Sequence, residues 1–512
     1  MAFSWQVVYG GKTPPPGQVV RPGERLSWPR TVGIGAQHVV AMFGATFVFP
    51  VVMGLNPNVA IMFSGVATIM FLLITNGKVP SYLGTSASFV AAVSAIRLDG
   101  GDASDVTGAI LVAGLVLAAV GVFVHYAGAD LVHQVLPPAV TGAVVMLIGF
   151  NLAPVVAQIY WPQDQYVALL TMTAVVLMAV LLKGFWARIA IFLGLIFGYL
   201  VSWLFDAIFG QINSCGGAGC TPVLHDRISW ATVKAADWIG LPDATKVVNG
   251  KEIAGFHGPT FSLTFILLVL PGVIALIAEN TGHVKAVAEM TGDDLDPYLG
   301  RALIGDGVGT AVASAFGGSP TTTYAENIGV MAATRIYSTA AYYVAAVVAI
   351  LFGLCPKFGA LVNSTPGGVL GGITVVLYGM IGLLGAKIWI ENRVDFANPI
   401  NLVPLAAGIV AGIGGVTMQF TTKFSLGGIA LGTLVTIIGY HVVRVLAPSE
   451  MRDALVPGRS YGDGTVIAVG RTGVDTALGE GVDPQAGTHL GHHRTDGPPP
   501  PRDGTDTEHD RT

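Results

Sequence analysis

The sequence predicts an all-α polytopic membrane protein of fourteen transmembrane segments, and three observations carry that prediction. The first is composition: of 512 residues, 52% are hydrophobic and 11% charged, with a mean hydropathy of +0.66. Soluble chains carry about 25% charged residues, whereas only ten Asp, Glu, Lys or Arg residues occur between positions 31 and 209. A water-facing surface needs more charge than that. The second is a succession of apolar stretches long enough to cross a bilayer. The third is that basic residues fall on alternate connections. A net charge of -5 shows no basic excess and excludes nucleic-acid binding. The 68 glycines fit membrane helices that approach one another closely.

Residues 1–30 hold five prolines and the cations Lys12, Arg21, Arg25 and Arg30, without the apolar stretch of a signal peptide. They read as a cytoplasmic tail. Clear apolar segments follow at 31–52, 59–74, 107–126, 138–158, 166–182 and 189–209. After a polar interval come 261–278, 338–354, 368–384, 402–416 and 426–445. Three weaker segments, 81–96, 303–317 and 320–333, are short and rich in Gly, Ser, Thr and Pro.

Charge orients this count. With the N-terminus inside, the cytoplasmic connections carry Lys78, Lys183, Arg188, Lys285, Arg301, Arg335, Lys387, Arg393 and Arg444, against Arg97, Lys357 and Lys423 outside. Lys and Arg accumulate on the cytoplasmic side, so fourteen crossings with both termini in the cytoplasm are expected, in a multi-pass protein of the plasma membrane. Dropping one weak segment would swap every later side and erase the bias.

The expected organisation is a tail 1–30, seven crossings in 31–209, an external loop 210–259, seven crossings in 260–446 and a disordered cytoplasmic tail 447–512. The loop contains Cys215 and Cys220, for which an oxidising exterior permits a disulfide; two free thiols are the alternative. The tail is dominated by Gly, Asp, Arg, His and Pro without apolar periodicity. Its His489, His492 and His493 read as solvated, and neither a metal nor an organic cofactor is expected.

Ionisable groups at membrane depth are expensive and mark function by default. Glu279 and His283 are four apart and share a helix face. Asp306 lies in the weak segment 303–317, Glu326 follows Pro320 and three threonines, and His38 sits in the first segment. Each has a plain structural alternative. Glu279 could be solvated at a membrane edge, Asp306 could buttress a neighbouring helix, and His38 could be a satisfied interior histidine. Glu326 is harder to set aside, because its segment is too polar to face lipid and irregular backbone at that depth must be protein-buried or line a cavity.

The segment 81–96, opening Pro80-Ser81-Tyr82-Leu83-Gly84-Thr85-Ser86-Ala87-Ser88-Phe89, shares that texture. It is third among the first seven crossings, and 320–333 is third among the last seven. Interrupted segments at matching positions of two halves point to a transporter's binding site. Seven is odd, so the halves form an inverted 7+7 repeat. Broken helices turn backbone N–H groups toward the gap, which suits carbonyl oxygens of a small polar solute. A carboxylate suits its N–H groups and, being protonatable, couples transport to H⁺.

These residues resemble the nucleobase–ascorbate transporter family, also called nucleobase:cation symporter-2. Its signature, Gln/Glu/Pro-Asn-x-Gly, four residues, Thr and Arg/Lys/Gly, is matched from Glu326-Asn327-Ile328-Gly329 to Thr334-Arg335. Gln37-His38 with Met42 to Thr46 is similar to the family's first helix, Pro80 to Gly84 to its third, and Ala278-Glu279 with Gly282-His283 to its eighth. The runs His283 to Ala288 and Tyr324-Ala325-Glu326-Asn327 resemble bacterial uracil permeases in particular. The resemblance covers roughly residues 29–446.

It implies core and gate domains, with short antiparallel strands in segments 3 and 10 meeting at the substrate. Glu279 is then expected to take the pyrimidine N–H edge, Glu326 to brace the site, and the backbone amides of Ala87 and Ala325 to hold the carbonyl oxygens. Uracil permeases carry Phe and Gly at these last two positions, so any aromatic stacking falls to Phe89 or Tyr324. His283, Asp306 and His38 match positions of the proton-coupling network. The implied function is proton-coupled uptake of uracil or a related pyrimidine by a homodimer in membrane lipid, and not an enzyme activity. A xanthine or purine symporter is the nearest alternative, and an anion transporter of the same fold a further one that paired carboxylates disfavour.

Overall fold

The computed structural model describes residues 4–15, 17–42, 44–128, 134–183, 185–214, 221–242, 246–248, 251–421 and 424–453. Cys215, Cys220 and positions 454–512 lie outside them. Among the described residues, helices overlap the expected segments in order: α1 (Trp28–Ala41), α2 (Pro57–Ile74), α3 (Val90–Leu98), α4 (Ala103–Ala127), α5 (Pro138–Asn151), α6 (Gln165–Leu181) and α7 (Ala190–Phe209). The second set comprises α8 (Pro271–Thr291), α9 (Leu299–Ala315), α10 (Ala325–Thr334), α11 (Thr339–Gly353), α12 (Gly367–Glu391), α13 (Pro399–Ile413) and α14 (Gly428–Leu446). Among the described residues, seven helices are long and apolar enough to cross a membrane, or nine if each of two bent helix pairs counts as one span.

Local chemistry starts these helices where the sequence provides caps. Asn56 accepts from the amides of Asn58 and Val59 ahead of α2, with Pro57 at its first position. Asp102 and Asp105 form a reciprocal capping box at α4. Asp164 caps α6, and Asn398 caps α13.

The helices pack as two groups. In the first, α9 lies along α4 and α2, and α11 lies on α2 and α1. In the second, α12 lies on α5 and α6, α13 on α14 and α5, and α7 on α6. Glycine sets the closeness of both. A Cβ on Gly307 of α9 would stand 2.4 Å from the Ala118 nitrogen of α4, and one on Gly149 of α5 would stand 2.1 Å from the Gly382 nitrogen of α12. The segment 303–317 was weak as a hydropathy signal for this reason: its glycines are a contact surface, and the helix runs the full span Leu299–Ala315.

Segments 3 and 10 are broken, and each contributes a strand. β1 (Leu83–Thr85) pairs antiparallel with β2 (Thr321–Thr323), Gly84 opposite Thr322. Each strand is fastened by a threonine of the helix preceding it. Thr68 of α2 accepts from the Leu83 amide at 2.9 Å, and Thr310 of α9 accepts from the Thr321 amide at 3.0 Å.

The described residues that flank the helices, 4–27 and 449–453, are tied to the body. Residues 6–7 and 24–25 pair as short strands, and Val20 bridges to Ile336. Trp5 Nε1 donates to Thr339 Oγ1 at 2.8 Å. After α14, the helix Ser449–Asp453 returns to the body, where Asn398 Nδ2 donates to the Met451 carbonyl.

Candidate functional site

The site is built where the two strands end. β1 leads through a single turn, Ala87–Phe89, into α3, and β2 leads through Tyr324 into α10. The first amides of a helix have no intrahelical partner, so two helix starts with their positive dipole ends meet at the strand pair. The Ser86 amide donates to the Pro320 carbonyl at 2.8 Å and closes the pair at this end. Ala87 is buried, and Phe89 is fully buried. A Cβ on Gly272 of α8 would stand 2.9 Å from the Phe89 ring, so that ring packs on α8 seven residues before Glu279, about 10 Å along the helix axis. Tyr324 is half-buried and its hydroxyl donates to the Thr85 carbonyl.

α8 runs on to Thr291, so Glu279 and His283 sit mid-helix and not at the end of an apolar segment. Glu279 is half-buried and flanked by both arms. Ser88 Oγ donates to its Oε1 and Thr322 Oγ1 to its Oε2, each at 3.4 Å. His283 is buried, with Nε2 donating to the Pro80 carbonyl at 3.4 Å, and so ties α8 to the start of segment 3. Asp306 is fully buried. Its Oδ2 accepts from Asn280 Nδ2 at 2.6 Å and from Thr322 Oγ1 at 3.3 Å.

His38 belongs to a neighbouring cluster. Asn327 Nδ2 donates to the Tyr82 carbonyl at 2.8 Å, which turns its Oδ1 toward His38 Nδ1, 3.0 Å away. His38 Nδ1 therefore carries the proton. Its ring lies 4.4 Å, centroid to centroid, from that of Tyr342. Ala325 and Glu326 open α10, but their side chains lie outside the described set. The signature Glu326–Arg335 thus coincides with one helix, ended by Arg335 in the left-handed conformation, φ 57°. Its carbonyl accepts from the Val20 amide at 2.9 Å.

A profile of the permease family matches residues 29–421. The chain belongs to that family. This permease is 41% identical over 427 residues to a protein of Escherichia coli K12 named "Putative pyrimidine permease RutG", covering 82% of this chain and 91% of that one. It is 34% identical over 419 residues to the uracil permease of Bacillus caldolyticus, covering 80% and 90%. Among solved structures, the transmembrane domain of the cyanobacterial bicarbonate transporter BicA aligns with a TM-score of 0.53 and 14% identity, over 80% of this chain and 96% of that one. Murine Slc26a9, an anion transporter in its inward-facing state, aligns with a TM-score of 0.56 and 11% identity, over 82% and 68%. These two likenesses concern the fold alone. A permease with several helices apolar enough to cross a bilayer is a multi-pass membrane protein and a transporter, not an enzyme.

The structure also brings in residues that sequence reasoning did not select: Ser88, Asn280 and Thr322 around the carboxylates, and Asn327 beside His38. For Ser88, Asn280 and Asn327 a signal existed: each is a small polar residue next to one already selected, inside a membrane segment where such side chains need partners. Thr322, inside a run of three threonines, carried none.

Proposed function

We propose that this permease is a secondary active transporter that takes up uracil or a related pyrimidine nucleobase together with a proton. The carrying observation is the position of Glu279, between the Ser88 arm and the Thr322 arm of two broken segments. Uracil presents C=O and N–H groups in alternation along one edge. A carboxylate accepts the N–H, and the backbone amides of Ala87 and Ala325 suit the C=O groups, so a neutral ligand is recognised without a counter-charge. The names of the relatives, pyrimidine and uracil permeases, supply the substrate class. Glu326 braces the site from α10, and Tyr324 and Phe89 shape its walls.

The proton is the coupling ion: protonation of Glu279, with Asp306 and His283 beside it and His38 in the neighbouring cluster, links binding to the gradient. Fourteen crossings in a 7+7 inverted repeat suit this reading, and the matching threonine locks on β1 and β2 support the repeat. The first helix group acts as core and the second as gate, and access alternates as one moves against the other. The permease works as a homodimer in the plasma membrane with both termini cytoplasmic. The anions of the structural neighbours are not carried over, since Glu279 and Asp306 would repel them.

Radiolabelled uracil uptake by proteoliposomes tests this. An acid-outside gradient should drive accumulation, with unlabelled uracil and thymine competing better than xanthine. Glu279→Gln should abolish accumulation, a loss of about 100-fold or more. Stronger competition by xanthine would move the substrate class to purines, and a Glu279→Gln variant that still concentrates uracil would refute the coupling.

A further inference from the structure

We infer that Thr322 is the positioning residue that passes the coupling proton between Glu279 and Asp306, an inference that rests on the proton-symport reading above. Its Oγ1 stands 3.4 Å from Glu279 Oε2 and 3.3 Å from Asp306 Oδ2. Both are long for O–H···O bonds, so the hydroxyl lies between two acceptors without commitment to either. A hydroxyl carries one proton and cannot donate to both. Both contacts can close together only when one carboxyl supplies a second proton to Thr322 Oγ1. The three groups can therefore share one proton beyond the hydroxyl's own, carried by one acid or the other.

Asn280 fixes the receiving oxygen. Its Nδ2 donates to Asp306 Oδ2 at 2.6 Å, the oxygen that faces Thr322. The relay starts with the proton on Glu279. An imide N–H donating to Glu279 requires that carboxyl to be ionised. The Glu279 proton then moves to Thr322 Oγ1 as the threonine's own proton passes to Asp306 Oδ2. One O–H bond breaks and one forms at each step of the chain, and no charge is created. Substrate binding and protonation of Asp306 are thereby one event.

The surroundings leave the hydroxyl this role. β2 is packed by α8, α9 and β1. Their titratable groups near the strand are Glu279 and His283 of α8 and Asp306 of α9, with Tyr82 just before β1. On the Thr322 side lie Tyr324 and, in sequence, Glu326, and His38 stands behind Asn327. Lys285 and Glu289 lie beyond His283 on α8, and Arg301 lies at the start of α9. Thr322 is 1% exposed, so bulk water does not substitute for its hydroxyl.

The experiment compares wild type with Thr322→Val, Thr322→Ala and Thr322→Ser in proteoliposomes, by uracil counterflow at equal pH and by gradient-driven accumulation. Counterflow needs the site but no net proton movement across the membrane. Val and Ala should lose at least about tenfold of accumulation and flatten the pH profile of counterflow, and Ser should restore both. Two variants of different volume guard against a folding failure of one. The inference is overturned if Val or Ala accumulates uracil as wild type does, or if their counterflow falls while keeping the wild-type pH profile, which marks a purely structural role. A wild type that shows no gradient-driven accumulation would instead refute the symport reading itself, and the variants would then match it in both assays.

Discussion

The two helix groups are built from the same apolar residues and the same close glycine contacts, yet they differ in what they bury. The group of α1–α4 and α8–α11 encloses His38, Glu279, His283 and Asp306, and it contains both broken segments. In α5–α7 and α12–α14 the described acids Asp164 and Asp206 sit at helix ends and pair with Arg227. On the function proposed above, the first group carries the transport chemistry and the second is the packed surface it works against. Substitutions in the first should cost transport at constant stability. Substitutions in the second should cost stability, with transport following.

The largest effect is expected at Asp306. Asn in its place keeps the volume and can still accept from Asn280, whose Nδ2 lies 2.6 Å from the present Oδ2. The fold should therefore hold, while the loss of a protonatable group should lower gradient-driven uptake about 100-fold. Thermal unfolding of the purified variant, read beside uptake, is the check. A melting point that falls as far as uptake would make Asp306 a structural buttress and erase the contrast between the groups.

Much of this was legible in the sequence, and the exceptions have physical causes. The helical membrane class, the two interrupted segments and the signature helix could be read because apolar runs and Gly/Pro interruptions are local signals. Asp306 and Glu279 were legible as misfits in lipid. Their partner Thr322 was not, since a threonine in a run of three says nothing about which hydroxyl faces a carboxylate until β1 and β2 set the register. Glu279 was placed at a segment end because hydropathy drops at the polar run Glu279-Asn280-Thr281, while backbone bonding carries α8 on to Thr291. The N-terminal residues read as a tail on proline and charge, although Val20, Leu26 and Ile336 form a small apolar cluster of their own.

A middle effect is expected in the second group. Gly149 of α5 meets α12 so closely that a Cβ would stand 2.1 Å from the Gly382 nitrogen and 2.5 Å from its Cα. Backbone cannot yield as a flexible side chain does, so Gly149→Leu must push the helices apart. Overpacking of this kind costs about 2–3 kcal/mol, which should appear as a lower melting point in detergent. Uptake should fall only in proportion to the protein left folded. Uptake lost without a change in melting would place α5 in the transport chemistry and blur the division of labour.

The smallest effect is expected at Arg227, where the connection between α7 and α8 meets the second group. Its Nε donates to Asp164 Oδ2 at 2.6 Å and its Nη1 to Asp206 Oδ1 at 3.0 Å, and so the loop is stapled to the starting end of α6 and the finishing end of α7. Asp164 also accepts from the amides of Tyr166 and Val167, and Asp206 from those of Arg227 and Ile228. Each carboxylate thus keeps two backbone partners when the guanidinium is removed. Arg227→Met should cost about 1–2 kcal/mol, less than the full cost of stranding a buried charge. Further along, the same loop is fastened to the first group, where the Lys357 amide donates to the Asp237 carbonyl at 2.9 Å and Thr260 Oγ1 donates to Asp105 Oδ1 at 2.7 Å. A loop anchored on both groups lengthens or shortens as they move. If that strain is felt during transport, Arg227→Met changes the uptake rate per folded molecule; if the loop is slack enough to follow, only the melting point moves. The second outcome is expected, because the stretch between the anchors at 227 and 237 includes the short helix Ala231–Ala235, which unwinding lengthens from about 1.5 Å to about 3.3 Å per residue, and stopped-flow uptake alongside calorimetry separates the two.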